Sequence, residues 1–156
     1  MSAQFYDVGV KSTTGLQTVD RDIREMRKDA RRALSKSATV MRRAYARNLS
    51  KRRGPSAPGD PPARVEGALR DTVGKDRPRR DEDNFSVAIG IGVGKAKANK
   101  VAEWKARGIN VYAYAALHER GGIGAGGRRY PPRPFARPAE EETEAEIRSI
   151  LEDGLR

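Results

Sequence analysis

Residues 112–138 read YAYAALHERGGIGAGGRRYPPRPFARP, and the order of residue types in this stretch decides how the chain is built. Tightly spaced aromatics and alanines lead into a glycine-rich turn. The stretch then closes on Pro131-Pro132-Arg133-Pro134-Phe135-Ala136-Arg137-Pro138. Proline fixes φ near −65°, so this closing segment reads as extended and rigid. Pro138 suits a helix start, where a missing N–H costs nothing. Residues 139–153, AEEETEAEIRSILED, read as that helix. Ile147, Ile150 and Leu151, extended by Leu155, make its apolar stripe, Glu140, Glu141 and Glu142 lie near the positive end of its dipole, and Gly154 ends it. Five glutamates between 140 and 146 form an acidic patch. On a basic chain that patch suits head-to-tail contact between identical subunits, with neutralisation inside the chain as the alternative.

Gly122-Ile123-Gly124-Ala125-Gly126-Gly127 matches G-x-G-x-x-G. A dinucleotide site needs that pattern to open a helix, and Arg128-Arg129-Tyr130-Pro131-Pro132 cannot continue one. The glycines are expected to let a loop tip turn or adapt to a partner. His118 is the single histidine and there is no cysteine. One His without a nucleophile elbow or clustered carboxylates reads as a polar residue at the end of a short element rather than an acid–base catalyst. No spacing of convergent metal ligands is present.

Working outward towards the N-terminus, 109–117 (INVYAYAAL) reads as a second strand or, preferably, a strand running into a short helix with Ala113, Ala116 and Leu117 facing inward. Residues 95–108 fit either a basic loop or a short helix carrying Val101 and Trp104. Residues 85–94, FSVAIGIGVG, give the clearest strand: Phe85, Val87, Ile89, Ile91 and Val93 alternate with small residues, so one face is apolar and the other bare enough for another backbone or helix to approach. This strand is expected at the centre of a sheet. Residues 74–84 read as a charged loop, and 63–73 as a short amphipathic segment with Val65, Leu69 and Val73 four apart. Residues 54–62, GPSAPGDPP, read as an extended loop that orders on contact, with Pro58, Gly59 and Asp60 at its tip.

The longest element spans 18–52. Val19, Ile23, Met26, Ala30, Ala33, Ser37, Val40, Ala44 and Leu49 recur in steps of three and four, with Leu34, Met41 and Tyr45 widening the stripe. Thr18 or Asp20 is expected to cap this helix, with Lys51, Arg52 and Arg53 at its negative end and Gly54-Pro55 as its stop. At ~1.5 Å per residue it is a rod of roughly 50 Å, longer than so small a domain covers, so part of it is expected to project or to pack on a neighbouring copy. Its opposite face carries Arg24, Lys28, Arg31, Arg32, Arg42, Arg43 and Arg47, either a solvated face or one that meets an acidic partner or nucleic acid. Before it, 4–11 reads as a short strand with Tyr6, Val8 and Val10 on one face.

The expected fold class is therefore α+β in a single domain of 156 residues. A long N-terminal helix and a C-terminal helix pack on a small antiparallel sheet, with the sheet and glycine-rich loop together spanning 85–138. Hydrophobic content is 37% and mean hydropathy −0.79, a small core for the length, so some elements are expected to complete their burial against other subunits. The formal net charge of +11 attracts polyanions or acidic partners. The absence of cysteine excludes disulfides and thiolate metal sites and fits synthesis in a cytoplasm. MSAQFYDVGVKS lacks the basic-then-apolar pattern of a signal peptide, and no apolar run approaches the ~20 residues of a membrane span.

Taken together, these features resemble the tail-completion (neck, or head–tail connector) proteins of long-tailed siphophages. The matching residues are Pro58-Gly59-Asp60-Pro61-Pro62 followed by Gly67-Ala68-Leu69-Arg70, then Tyr112-Ala113-Tyr114-Ala115 through Glu119-Arg120-Gly121, then Pro132-Arg133-Pro134-Phe135 with Arg137-Pro138-Ala139. They cover about residues 15–155. The chain departs from the pattern in its glycine-rich, doubly basic insert 121–129 and in the strand before the long helix.

The resemblance implies a structural virion protein with no catalysis and no cofactor. Such a protein is made in the host cytoplasm and lies at the head–tail junction, in a ring between head-closure and tail-terminator or tail-tube proteins. A homo-hexamer would match the tail's symmetry. Pro132, Arg133, Pro134, Phe135, Arg137, Pro138, Glu140 and Glu141 are the expected subunit interface, with Phe135 as an apolar anchor and Arg133 and Arg137 pairing with carboxylates. The loops holding Pro58, Gly59, Asp60, Gly121, Gly124 and Gly127 are expected to dock on adjoining rings. Arg31, Arg32, Arg42, Arg43, Arg128 and Arg129 are the candidates to face genomic DNA in the channel. No membrane partner is implied. A tail-terminator role is the near alternative; a sequence-independent nucleic-acid-binding protein is the alternative from another class, and an enzyme dependent on His118 a third.

Overall fold

The computed structural model describes residues 13–49, 58, 67–82 and 84–154. The expected strand 4–11, the basic run 51–53, Gly59, Asp60 and Leu155 lie outside the described residues.

The fold is α+β, dominated by helix α1, Thr13–Asn48, and helix α5, Ala136–Asp153. α1 starts five residues before Thr18, so neither Thr18 nor Asp20 caps it; both lie inside the helix. Its last helical residue is Asn48, short of the expected Arg52. The two helices run antiparallel. Phe135 lies beside Asn48 at one end of the contact, Thr143 beside Met41 in the middle, and Gly154 against Ala33 at the other. Residues Thr18–Asp29 of α1 are all exposed. Beyond Ala33, therefore, α1 projects past the end of α5 by about twenty residues, roughly 30 Å.

Between the long helices lie helix α2 (Ala68–Thr72), strands β1 (Val73–Lys75), β2 (Arg79–Asp81), β3 (Asn84–Ser86) and β4 (Ile89–Ile91), then helices α3 (Lys95–Ala106) and α4 (Val111–Arg120). β1 pairs antiparallel with β4, and β2 with β3. These nested pairs form one long hairpin interrupted once. Three residues, Asp76-Arg77-Pro78, oppose two, Val87-Ala88, and the Asp76 amide still donates to the Ala88 carbonyl at 2.9 Å. Pro78 has no N–H to give to a ladder, which accounts for the break.

The single central strand expected over 85–94 is thus two short strands in a two-stranded ribbon, and there is no sheet centre among the described residues. Its partner is the segment read as a charged loop. A ribbon with one face in water has no need of apolar residues there. The bare glycine face does admit close neighbours: a Cβ at Gly92 would collide with the Tyr112 hydroxyl of α4, and one at Gly74 with the Val93 carbonyl.

Residues 109–117 do not form a strand. Asn110 caps α4 by accepting from the Ala113 amide at 3.2 Å. The inward residues are Val111 and Ala115, while Ala113 and Ala116 are exposed and Leu117 is half-buried. The buried face of α4 thus lies nearly opposite the expected one. The core gathers at the C-terminal half of α1: Ala44, Tyr45 and Leu49 meet Ala68, Leu69 and Val73, then Val111, Phe135 and Ala139.

Candidate functional site

The proline box is reached through a reversal. α4 ends at Gly121, whose φ of 69° suits glycine and whose amide donates to the Leu117 carbonyl at 2.8 Å. Strands β5 (Gly122–Ile123) and β6 (Arg129–Tyr130) then pair across a short 3₁₀ turn. The glycine-rich insert is thus a small hairpin, and no helix follows its G-x-G-x-x-G spacing. It returns the chain over its own start. A Cβ on Gly121 would lie 2.9 Å from the Pro132 nitrogen, and the Arg133 amide donates to the His118 carbonyl at 2.6 Å.

Glu119 closes this arrangement. Its Oε2 accepts the Phe135 and Ala136 amides at 3.0 and 3.2 Å, and its Oε1 accepts the Arg137 amide at 3.2 Å. The next residue, Pro138, has no amide to satisfy. The otherwise orphan N–H groups at the start of α5 are therefore held by one carboxylate from another helix, which also suits the positive end of the dipole.

The box is not a free interface. Phe135 is 4% exposed in its own chain. Its ring meets Tyr45 edge-on at 6.1 Å, and its carbonyl accepts from Asn48 Nδ2 at 3.1 Å. It is core, and the expectation of an intersubunit anchor is corrected: the α1–α5 seam needs an aromatic where the extended segment enters the helix. Arg137 pairs with Glu141 of the same helix at 3.1 Å, and Glu140 accepts from the Tyr45 hydroxyl at 2.7 Å. Glu142 pairs with Arg47 at 2.8 Å and Glu144 with Arg148 at 2.9 Å. Intrachain pairing thus meets much of the acidic patch, though these charged pairs are exposed and each is worth at most ~1 kcal/mol. Pro132 is exposed, and Arg133, Pro134 and Pro138 are half-buried.

His118 is half-buried, edge-on to Tyr114 at 4.4 Å. Burial, and secondarily the charge of Arg133, hold its pKa below the usual value. Its Nε2 has no hydrogen-bond partner among the described residues. Glu119, the adjacent carboxylate, is engaged with the α5 amides. The imidazole is therefore placed as a neutral packing group.

Two grooves lie along α1, and another, of about 560 Å³, lies between the proline segment and the glycine hairpin, lined by Arg120, Arg129, Tyr130, Pro131 and Pro132. The first, of about 470 Å³, lies between the projecting half of α1 and the β2–β3 hairpin. Its lining brings together Arg24, Arg27, Lys28, Arg31, Arg32 and Arg80 with Ser35 and Phe85. The Arg31 guanidinium sits 6.0 Å from the Phe85 ring centre, and Arg32 pairs with Asp29 at 3.2 Å. Of the six expected DNA-facing cations, only Arg31 and Arg32 lie here. Arg42 and Arg43 belong to the packed half of α1, and Arg128, 5.7 Å from the Tyr130 ring centre, belongs with Arg129 to the glycine hairpin. Arg27 and Arg80 join the site unexpectedly; the 24, 27, 28, 31 spacing on one helical face is the available signal for Arg27, whereas Arg80 arrives through a hairpin that reads as loop.

The second groove, of about 580 Å³, runs along α5 beside α1, lined by Met41, Ile147 and Leu151 together with Glu140, Glu141, Glu144, Arg148 and Glu152. Pro58 is an exposed turn residue, and Gly121, Gly124 and Gly127 fall within the ordered β5–β6 hairpin and its flank.

No group of three or more His, Cys, Asp or Glu that could hold a metal occurs among the described residues, and no described helix is long and apolar enough to cross a membrane. No protein-family model matches the chain, and neither does any curated protein or solved structure.

Proposed function

We propose that the chain is a structural virion protein of the phage head–tail junction, assembling as a homo-oligomeric ring that joins head-closure components to the tail around the DNA channel. The observation that carries the assembly reading is the uncovered half of α1. Val19 is 54% exposed and Met26 64%, on the same stripe that α5 covers from Ala33 onward. Leaving such residues in water forfeits on the order of 1 kcal/mol or more each, which a second chain recovers. The resemblance carried by the 112–138 stretch supplies the place, the head–tail junction, and the class of partner.

In this reading α1 and α5 form the ring body. The β5–β6 hairpin, with Ile123 exposed at its edge, meets an adjoining ring. The basic groove on α1 tolerates DNA of any sequence by contacting phosphate.

The test is inactivation of the gene in a phage that encodes the chain. DNA-filled heads and separate tails should accumulate, and purified protein added to the lysate should join them. Infectious tailed particles formed without the protein would refute the proposal. Capping of purified tail tubes with no head component present would favour the tail-terminator role. A second reading, a sequence-independent nucleic-acid-binding protein, is favoured by the six cations of the α1–hairpin groove.

A further inference from the structure

Four apolar positions on the projecting half of α1, Val19, Ile23, Met26 and Ala30, follow steps of four, three and four, and the first three are exposed. They continue a seam whose next members, Ala33 and Ser37, are buried. At 100° per residue, Arg27 and Asp20 border this stripe on one side and Asp22 and Asp29 on the other, while Arg24 and Arg31 turn towards the β2–β3 hairpin. From Val19 to Ala30 the stripe is about 17 Å long.

The groove beside α5 has the complementary character. Met41, Ile147 and Leu151 supply its apolar surface, and four carboxylates, Glu140, Glu141, Glu144 and Glu152, against the single cation Arg148 leave its lining net acidic. From Glu140 to Glu152 its α5 wall is about 18 Å long, the length of the stripe. α5 carries seven carboxylates (Glu140, Glu141, Glu142, Glu144, Glu146, Glu152, Asp153) against Arg137 and Arg148, a balance of 2 − 7 = −5, in a chain of net +11.

We infer that the groove's occupant is a second copy of this chain: residues 19–30 of one copy lie along Met41, Ile147 and Leu151 of the next, with Arg27 at the border of the stripe facing the groove's carboxylates. The inference rests on the ring reading and names the surfaces that make the ring. Donor stripe and acceptor groove are different parts of one chain, so the contact is heterologous. Repetition closes into a ring when the rotation permits and otherwise runs into a filament. Antiparallel contact between two stripes would set Asp22 and Asp29 of one copy against the same edge of the other. The Arg137–Glu141 and Arg148–Glu144 pairs are surface pairs within a helix, weak enough to exchange for an intersubunit partner.

The chain has no cysteine, so engineered thiols report without background. Met26→Cys and Leu151→Cys are made separately in the full chain, mixed, and oxidised. The expected product is a mixed disulfide dimer, with little product from either variant alone, and a chain carrying both substitutions should give a ladder of higher oligomers. Arg27→Glu should weaken association at least about tenfold, Glu144→Lys likewise, and an equimolar mixture of the two should recover part of the loss. Efficient Met26→Cys self-linkage would assign the stripe to its own copy in a neighbour and overturn the inference. So would a wild-type chain that stays monomeric at high concentration, its stripe covered by its own residues. A wild-type ring with no 26–151 linkage would overturn this contact while leaving the ring reading standing.

Discussion

The Glu119 carboxylate accepts the Phe135 backbone amide at 3.0 Å across sixteen residues of chain, and that bond joins the end of α4 to the start of α5. Everything between the two, the glycine hairpin and the proline segment, is closed into a loop by it. The same carboxylate takes the Ala136 and Arg137 amides. Replacing Glu119 with Ala should destabilise the fold by about 2 kcal/mol, because three amides lose a charged acceptor at the positive end of a helix. Glu119→Gln keeps one acceptor oxygen and should cost about half as much. Urea unfolding of the three proteins decides the matter: equal midpoints would mean that the α5 amides find water at no loss.

Phe135→Ala should cost about 3–5 kcal/mol, because the ring is enclosed by its own chain against Tyr45. The deficit belongs to the monomer. It should appear as a lowered thermal midpoint in dilute protein, independent of concentration. A variant of normal monomer stability that failed only in assembly would instead restore Phe135 to an intersubunit role.

Much of the architecture can be read from local pattern, and the failures share a cause. The α1 stripe and the α5 stripe are visible because apolar residues recur at helical spacing over many turns. The ribbon is not, because Arg79-Arg80-Asp81 form a strand whose residues are all exposed, and periodicity reports burial rather than extension. The start of α4 is marked by one side chain, Asn110, whose capping contact has no periodic signature. Within the site, the 112–138 stretch correctly marks where the chain folds back. Yet the partner of the box, Glu119, lies sixteen residues before Phe135, and nothing local announces that its carboxylate turns towards α5. Phe135 among prolines looks like an exposed hook for the same reason: its cover, Tyr45, comes from the far end of the chain.

The Tyr45 hydroxyl, donating to Glu140 at 2.7 Å, couples α1 to α5 in a way that alkali undoes. Burial, then the hydrogen bond and charge of Glu140, raise the phenol's pKa well above its ordinary value. A raised pKa in the folded state contributes stability that is present below the unfolded value of about 10 and is lost as pH rises beyond it. The thermal midpoint should therefore fall above pH about 10, more steeply in wild type than in Tyr45→Phe. At neutral pH the Phe variant should be less stable by about 0.5–1.5 kcal/mol. Identical alkaline limbs would assign the loss to lysines instead.

His118 sets the opposite limb. Burial lowers its pKa, so its contribution is present above the unfolded value of about 6.5 and is lost as pH falls below it, where the unfolded chain takes up the proton more readily. His118→Phe keeps a ring against Tyr114 and removes the titration. Its stability should change less between pH 7 and 5 than that of wild type. Comparison of the two denaturation series checks this, and parallel curves would place the acid sensitivity in the carboxylates.

The α1–hairpin groove predicts a salt dependence localised to its own cations. Lys28, Arg31 and Arg80 face one opening from two elements, so a phosphate backbone laid there meets charge from both sides. Each cation that no longer neutralises a phosphate should lower the slope of log K against log salt by about 1, so replacing the three by Gln should lower it by about 3, with affinity falling for every sequence alike. Arg42→Gln with Arg43→Gln removes two positive charges from outside the groove lining and is the control for net charge. Binding of scrambled duplexes across a salt series separates the cases. If the control lowers affinity and slope as much per charge removed as the groove variant, the protein attracts DNA by its overall charge and the groove has no special part. If only the groove variant does, the groove between α1 and the β2–β3 hairpin is the surface that binds DNA.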